Sequence, residues 1–96
     1  MTINITVLLK AKEESTEKVK ELLENLVANS RLESGCVQYD LHQDVQDATT
    51  FVFHEVWKNK EGLDLHKEQW YSLKFNKNAE DFLQEKAIIY STSRIE

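Results

Sequence analysis

The sequence predicts a small α+β domain in which strands and helices alternate along one chain. Apolar residues recur with a period of two in several segments, and a stripe of helical period lies between residues 19 and 27. The length of 96 residues is that of one domain, so we expect a single domain over residues 1–96. A chain of this length buries only about 60–70% of the surface that its unfolded form exposes. Its own core is therefore marginal, and association with a second copy is one remedy.

A change of period marks the first strand and the first helix. Residues 3–10 carry apolar side chains at alternate positions, which is typical of a strand: Ile3, Ile5, Val7 and Leu9. Five apolar residues then recur at helical spacing: Val19, Leu22, Leu23, Leu26 and Val27. Ser15 is the expected N-cap of this helix. Gly35 is expected to close the segment in the left-handed conformation that glycine adopts at little cost.

Two further strands are predicted in the middle of the chain. Residues 36–42 alternate again and are expected to present one apolar face, made of Val37, Tyr39 and Leu41. Residues 50–57 are apolar on both faces, with Phe51, Phe53 and Trp57 on one and Val52 and Val56 on the other. A strand that is buried on both faces needs cover on both. Helices would cover one face, and a second subunit is the simplest cover for the other.

The rest of the chain predicts two helices and a last strand. Asn59 is the expected cap of a short helix over 60–67, and the last strand is expected over 87–95. A second helical stretch has Trp70 and Leu73 beside its apolar stripe, with a candidate break at 76–78. The stripe consists of Tyr71, Phe75, Ala79 and Phe82. The order β-α-β-β-α-α-β is that of a split β-α-β, or ferredoxin-like, four-stranded antiparallel sheet.

Composition argues against several classes of function. The net charge is −5, and the 12 basic residues are scattered among 17 acidic ones, which argues against nucleic acid as a partner. No segment approaches the roughly 18 apolar residues that cross a bilayer, and the start of the chain lacks the pattern of a signal peptide. Cys36 is the single cysteine, so no internal disulfide can form. We therefore expect a cytoplasmic protein with no membrane partner.

A specific pattern runs through the chain at three places. The segments are residues 33–36 leading into 39–44, residues 51–57, and residues 62–66. The most specific element is Glu55-Val56-Trp57 followed nine residues later by His66. In order, spacing and length, these segments resemble the antibiotic biosynthesis monooxygenase domain of the dimeric α/β-barrel superfamily. The resemblance covers essentially the whole chain.

The resemblance implies a ferredoxin-like subunit that pairs with a copy of itself, the two sheets forming a closed barrel. It also implies a pocket between sheet and helices in each subunit. Members of the family include cofactor-independent quinol or anthrone-type monooxygenases, haem-degrading enzymes and isomerases of a quorum-sensing signal, so the fold does not define the reaction. Haem degradation is not expected, because Asn76 lies near the position of the axial histidine and His66 replaces a tryptophan. Gln69 and Trp70 stand where many members have Pro-His.

His66 is the first candidate for a catalytic role. It is expected to share a helix face with Leu63 and Trp70, which would place its imidazole against the pocket. An unperturbed histidine titrates near neutrality and can remove a phenolic or enolic proton. Cofactor-free oxygenation needs such a step, because an electron-rich anion reduces dioxygen readily. The structural alternative is a histidine that only forms hydrogen bonds in a partly buried position.

Glu55 and Tyr71 complete the set of candidate catalytic residues. Glu55 shares a strand face with aromatic residues, so it needs a partner or has a raised pKa. It is a candidate base or orienter of His66, with a structural ion pair or a hydrogen bond at the dimer interface as the alternative. The Tyr71 hydroxyl could orient a substrate oxygen. The candidate walls for a planar ligand are Trp70, Phe75, Phe53 and Trp57, although core packing is the alternative for all four and is preferred for Trp57.

The sequence predicts neither a metal nor a cofactor. His42, His54 and His66 recur at a spacing of twelve that matches no ligand geometry, and His54 lies on the strand face opposite Glu55. A glycine-rich phosphate loop is absent, so a nucleotide cofactor is not expected. Cys36 is expected to be a small buried apolar residue rather than a nucleophile.

Three functions are compatible with these features. The first is a cofactor-independent monooxygenase that oxidises a small hydroquinone or polyphenol. The second is an isomerase of a small hydroxylated or phosphorylated carbonyl compound, with Lys67, Lys74 or Arg94 near a phosphate. The third is a dimer that binds a small apolar metabolite without turnover. Oxygen dependence separates the first two.

Overall fold

Four strands and three α-helices follow one another in the computed structural model, which describes all 96 residues. The elements are β1 (Ile3–Lys10), α1 (Thr16–Ser30), β2 (Cys36–Gln43), β3 (Thr50–Trp57), α2 (Lys60–Glu68), α3 (Trp70–Phe82) and β4 (Ile88–Thr92). The strands form one antiparallel sheet in the order β2-β3-β1-β4. This order confirms the predicted α+β, ferredoxin-like fold. No helix has both the length and the apolar character needed to cross a membrane.

The core lies between one face of the sheet and the helices. Cross-strand pairing places Leu9 opposite Phe51 and Val7 opposite Phe53, which joins the apolar faces of β1 and β3. Helix α1 covers this face with the buried part of its predicted stripe, namely Val19, Leu23 and Leu26. The period-2 pattern of the strands and the period-3.6 pattern of α1 therefore meet in one core. Helix α2 begins as predicted, because the Asn59 side chain accepts a hydrogen bond from the Gly62 backbone N–H at 2.9 Å.

Strand β2 departs from its predicted alternation. The pairing with β3 shifts between Cys36 and Gln38, so Val37 is an extra residue in the ladder and its side chain is 55% exposed. The prediction that Val37 shares the buried face of Tyr39 was therefore wrong. Tyr39 itself is buried, and Leu41 is half-buried.

Three details of the elements also differ from prediction. Ser15 is the N-cap of α1 as expected, but its side chain makes no capping hydrogen bond, and a 3₁₀ turn over Glu13–Ser15 leads into the helix. Helix α3 continues through the expected break at 76–78, because asparagine disfavours a helix only weakly and the segment has neither glycine nor proline. Strand β4 is shorter than expected, since it pairs with β1 only from Ile88 to Thr92.

The second face of the sheet has no cover within the chain. Register places Leu8 between Val52 and Ile88 on this face, and Tyr90 lies beside Thr6. Ile88 and Tyr90 are 45% and 54% exposed, while Val52 is half-buried. The helices thus cover one side of the sheet only, and an apolar strip remains open on the other.

A contact between two glycines joins the loop before β2 to the first turn of α2. A Cβ atom on Gly35 would lie 2.8 Å from the Gly62 Cα, and a Cβ on Gly62 would lie 3.2 Å from the Gly35 Cα. Neither glycine has a positive φ, so the predicted left-handed conformation of Gly35 was wrong. Glycine is needed here because the two backbones touch. The contact is extended by the Lys58 backbone N–H, which donates to the Gly35 carbonyl at 2.9 Å.

We expect Gly35→Ala to destabilise the protein by about 1–3 kcal/mol, because the added methyl group would force the two backbones apart. Gly62→Ala should cost less, since its Cβ would be farther from the opposite backbone. Urea unfolding followed by circular dichroism measures both. Ser34→Ala, at an exposed neighbouring position, is the matched control and should unfold like the unmodified chain. An unchanged midpoint for Gly35→Ala would contradict the importance of this contact.

Candidate active site

A chamber of about 360 Å³ lies between the helix-facing side of the sheet and helices α2 and α3. Its apolar wall consists of Ile5, Val7, Leu9, Leu26, Tyr39, Phe53, Leu63, Phe75, Ala87 and Ile89. Its polar groups are Glu55, His66, Lys67, Ser72, Asn76 and Ser91. Mainly apolar walls with a few convergent polar groups are typical of small-molecule sites.

His66 lies against this chamber, as predicted from its helix face. Its side chain is buried, and its ring packs on Trp57 with a centroid distance of 4.4 Å and an interplanar angle of 34°. Nδ1 lies 2.8 Å from Glu33 Oε2. The second ring nitrogen, Nε2, has no hydrogen-bond partner in the chain, so it is the nitrogen that a ligand can reach.

Glu33 is the partner of His66 that sequence reasoning missed. It lies in the loop that follows α1, two residues before Gly35, and its side chain is 13% exposed. The same Oε2 atom also accepts a hydrogen bond from the Tyr71 hydroxyl. Because 33 residues separate Glu33 from His66, no local period could join them. The available signal was its place in the segment 33–36, one of the three that carry the family pattern.

Tyr71 does not line the chamber. Its hydroxyl points to Glu33, on the side of a second, more polar groove of about 590 Å³ that both residues line. Burial raises the pKa of Tyr71 well above its ordinary value, and the hydrogen bond to Glu33 and the charge of that carboxylate raise it further. The phenol therefore stays protonated and acts as a donor to Glu33.

Glu55 lies in the centre of the sheet and faces the chamber. It is paired across the strands with Ile5 and with Tyr39, and it is 6% exposed. Trp57 Nε1–H donates to Glu55 Oε1 at 2.9 Å. Burial raises the pKa of this carboxyl, although the hydrogen bond from Trp57 and the nearby His66 oppose the shift. Glu55 thus has one oxygen held by Trp57 and one without a partner in the chain.

The structure separates the four predicted aromatic wall residues into two pairs. Phe53 and Phe75 line the chamber, whereas Trp57 is fully buried behind His66. Trp70 is 66% exposed and contacts the edge of Tyr71 outside the chamber. The reason is Gln69, whose extended backbone (ψ 143°) ends α2 and begins α3, so Trp70 does not continue the face of His66.

Ser72 is a second residue that the sequence analysis did not identify. Its side chain is 8% exposed, lines the chamber, and has an Oγ without a hydrogen-bond partner. A buried hydroxyl without a partner is costly unless a ligand or water satisfies it. The signal was a polar residue on the apolar stripe of α3, one turn before Phe75 and Asn76.

The remaining candidate groups lie apart from the chamber. His42 and His54 contact each other on the open face of the sheet, with ring centroids 5.3 Å apart. No three side chains of histidine, cysteine, aspartate or glutamate converge as a metal site would require. Cys36 is half-buried, and burial together with the charge of Glu33 raises the pKa of its thiol, which disfavours a thiolate.

The fold and the chamber define an α+β domain with a ferredoxin-like sheet and a cavity of about 360 Å³ between sheet and helices. The family model described as antibiotic biosynthesis monooxygenase matches residues 2–78. The chain therefore belongs to the antibiotic biosynthesis monooxygenase family, as its sequence pattern implied.

Known proteins similar to this chain include two curated sequences and a solved structure. Protein sll1783 of Synechocystis sp. is 32% identical over 81 residues, which are 84% of this chain and 55% of that protein. YcnE of Bacillus subtilis is 38% identical over 60 residues, 62% of this chain and 63% of that protein. The chain thus spans less than two thirds of either relative. The crystal structure of PA3566 from Pseudomonas aeruginosa is 33% identical, with a TM-score of 0.92 over 99% of this chain and 95% of that one.

Proposed function

We propose that the protein is a cofactor-independent monooxygenase that oxidises a small hydroquinone or polyphenol in the chamber. The observation that carries this proposal is the state of His66, whose Nδ1 is held by Glu33 while Nε2 has no partner in a mainly apolar chamber. Membership of the antibiotic biosynthesis monooxygenase family supports the reaction type. The overall reaction would convert a hydroquinone and dioxygen into a hydroxyquinone and water.

The chamber suits a planar ring of small size. Its volume of about 360 Å³ falls in the range of small-molecule sites, and Phe53 and Phe75 provide faces for ring packing. Among the six polar residues of the chamber, we propose that a ring oxygen meets His66 Nε2, the free oxygen of Glu55 or the Ser72 hydroxyl. A diphenol has two oxygens, so one can bind His66 while the other binds Glu55 or Ser72.

Nε2 of His66 would take the phenolic proton and leave an electron-rich phenolate. Such an anion can transfer electrons to dioxygen, and the apolar walls would keep water away from the reactive oxygen species. The reduced oxygen would form a C–O bond with a ring carbon, giving a peroxide that takes the proton from Nε2. Loss of the proton on that carbon with cleavage of the O–O bond would then release water and leave the hydroxyquinone. Glu55 would orient the second ring oxygen through the carboxyl oxygen that has no partner in the chain.

Purified protein should consume oxygen when a hydroquinone is added, and His66→Ala should lower the rate by about 10²–10⁴-fold, the usual contribution of a general base. An oxygen electrode measures uptake, and circular dichroism checks that the variant is folded. His42→Ala, which removes an imidazole outside the chamber, is the control and should retain the rate. Unchanged oxygen uptake in folded His66→Ala would refute the role of this histidine.

Two other outcomes would redirect the proposal. Turnover of a hydroxylated carbonyl compound at the same rate with and without oxygen would identify an isomerase that uses the same base. Tight binding of a phenol with no turnover, insensitive to His66→Ala, would identify a binding protein.

We further propose that the protein works as a homodimer. Leu8, Val52, Ile88 and Tyr90 form an apolar strip on the face of the sheet that no helix of the chain covers. A chain of 96 residues has a marginal core, and a second copy can bury this strip. Pairing of the open faces would close the two sheets into a barrel, the arrangement that the family resemblance implies.

Analytical ultracentrifugation at micromolar concentration should give twice the mass of one chain. Ile88→Lys should shift the population to the single chain, because it places a charge in the apolar strip. Leu73→Lys, at the exposed position of α3, is the matched control and should leave the mass unchanged. A folded single chain in the unmodified protein, or no response to Ile88→Lys, would contradict the proposed dimer.

A further inference from the structure

Glu33 does not line the chamber, yet it is joined to the only imidazole there. We propose that Glu33 is the positioning residue of the site: it fixes the tautomer of His66 and stabilises the imidazolium that forms when Nε2 takes a proton. The second half of this inference rests on the proposed function. The first half concerns the free protein and can be tested without turnover.

The tautomer follows from the chemistry of the contact. An ionised carboxylate has acceptors only, so a hydrogen bond of 2.8 Å between Glu33 Oε2 and Nδ1 requires the proton to be on Nδ1. A neutral imidazole carries one ring proton, and Nε2 then presents a lone pair. Since Nε2 is the nitrogen without a partner in the chain, Glu33 directs the basic atom to the chamber.

The surroundings of the pair favour a strong interaction. The side chains of His66 and Glu33 are 11% and 13% exposed, so little water screens them. When Nε2 gains a proton, the positive ring lies directly against the carboxylate, and the charged pair stabilises the state that follows proton removal. The proton moves only from the substrate oxygen to Nε2 and later back to oxygen, so Glu33 does not need to accept it.

Tyr71 also holds the carboxylate. Its hydroxyl donates to the same Oε2 atom, and α3 carries it past the end of α2 to reach the loop. This arrangement explains why a tyrosine next to the site does not face the chamber. Tyr71 limits the rotation of Glu33, and thereby the direction of the imidazole.

The polar groove gives Glu33 a separate access route to solvent. This groove of about 590 Å³ is lined by Glu33 and Tyr71 together with Lys58, Asn59 and Glu61, whereas His66 belongs to the lining of the chamber. Small solutes can therefore reach the carboxylate position without entering the chamber. A carboxylate removed by mutation can be replaced from this side.

The experiment compares Glu33→Gln, Glu33→Ala and the control Glu61→Ala in turnover of a hydroquinone. Glu33→Gln keeps an acceptor for Nδ1–H but loses the charge, so kcat should fall by about 10²-fold or more while KM stays nearly constant. Glu33→Ala should lose at least as much, and added formate should restore part of kcat. Glu61 lines the same groove without contacting His66. Glu61→Ala should therefore keep the normal rate and show no response to formate.

The tautomer provides the readout that does not depend on activity. ¹⁵N NMR of the ring, at a pH where the imidazole is neutral, should show the Nδ1–H form in the unmodified protein and in Glu33→Gln. Glu33→Ala should shift the ring towards Nε2–H, and formate should reverse the shift. If no phenol is turned over but these shifts occur, the proposed function fails and the positioning role stands. A dominant Nε2–H form in the unmodified protein, or a folded Glu33→Ala with normal tautomer and kcat, would overturn the inference.

Discussion

The backbones of two distant segments touch at Gly35 and Gly62, and the geometry of the site depends on this contact. Gly35 precedes β2, and Gly62 lies in the first turn of α2, where Asn59 caps the helix. Glu33 is two residues before one glycine, and His66 is about one helical turn after the other. A side chain at Gly35 would force the loop away from the helix, and one at Gly62 would press on the loop less strongly. The 2.8 Å approach of Glu33 to the imidazole therefore depends on this contact.

Two carboxylates near one imidazole have different environments and, by our proposal, different tasks. Glu33 receives hydrogen bonds from His66 and Tyr71 and lies beside a polar groove. Glu55 lies among aromatic side chains, receives one hydrogen bond from Trp57, and has a raised pKa because of burial. In our proposal Glu33 orients the base, whereas Glu55 meets the ligand through the oxygen that Trp57 does not hold. The surroundings of each group, rather than its residue type, set this difference.

Local periodicity in the sequence was sufficient for most of the fold. The four strands and the stripe of α1 follow from the local spacing of apolar residues, and their presence was predicted correctly. Val37 was placed wrongly because a bulge in β2 moves it off the buried face. Trp70 was placed wrongly because the extended backbone of Gln69 ends α2 and turns Trp70 away from the chamber. Neither a bulge in a strand nor a junction between two helices produces a periodic pattern of apolar residues, so the sequence does not predict them.

The interactions that complete the site are the least visible in the sequence. Glu33 reaches His66 because the glycine contact brings the loop before β2 against α2. Ser72 gains a candidate role only from its place in the wall of the chamber. The family resemblance supplied part of this missing information, because two of its segments, 33–36 and 62–66, contact each other in the structure. Contacts between residues that are far apart in the sequence form only when the chain folds, so no local pattern predicts them.

The central claim is that ligands bind in the chamber through Nε2 of His66, and a crystal structure with a bound hydroquinone tests it most directly. We predict that the ring lies between Phe53 and Phe75, with one oxygen within hydrogen-bond distance of Nε2 and the other near Glu55 or Ser72. A ring bound instead in the polar groove beside Lys58, or against the exposed Trp70, with Nε2 left unoccupied, would contradict the claim.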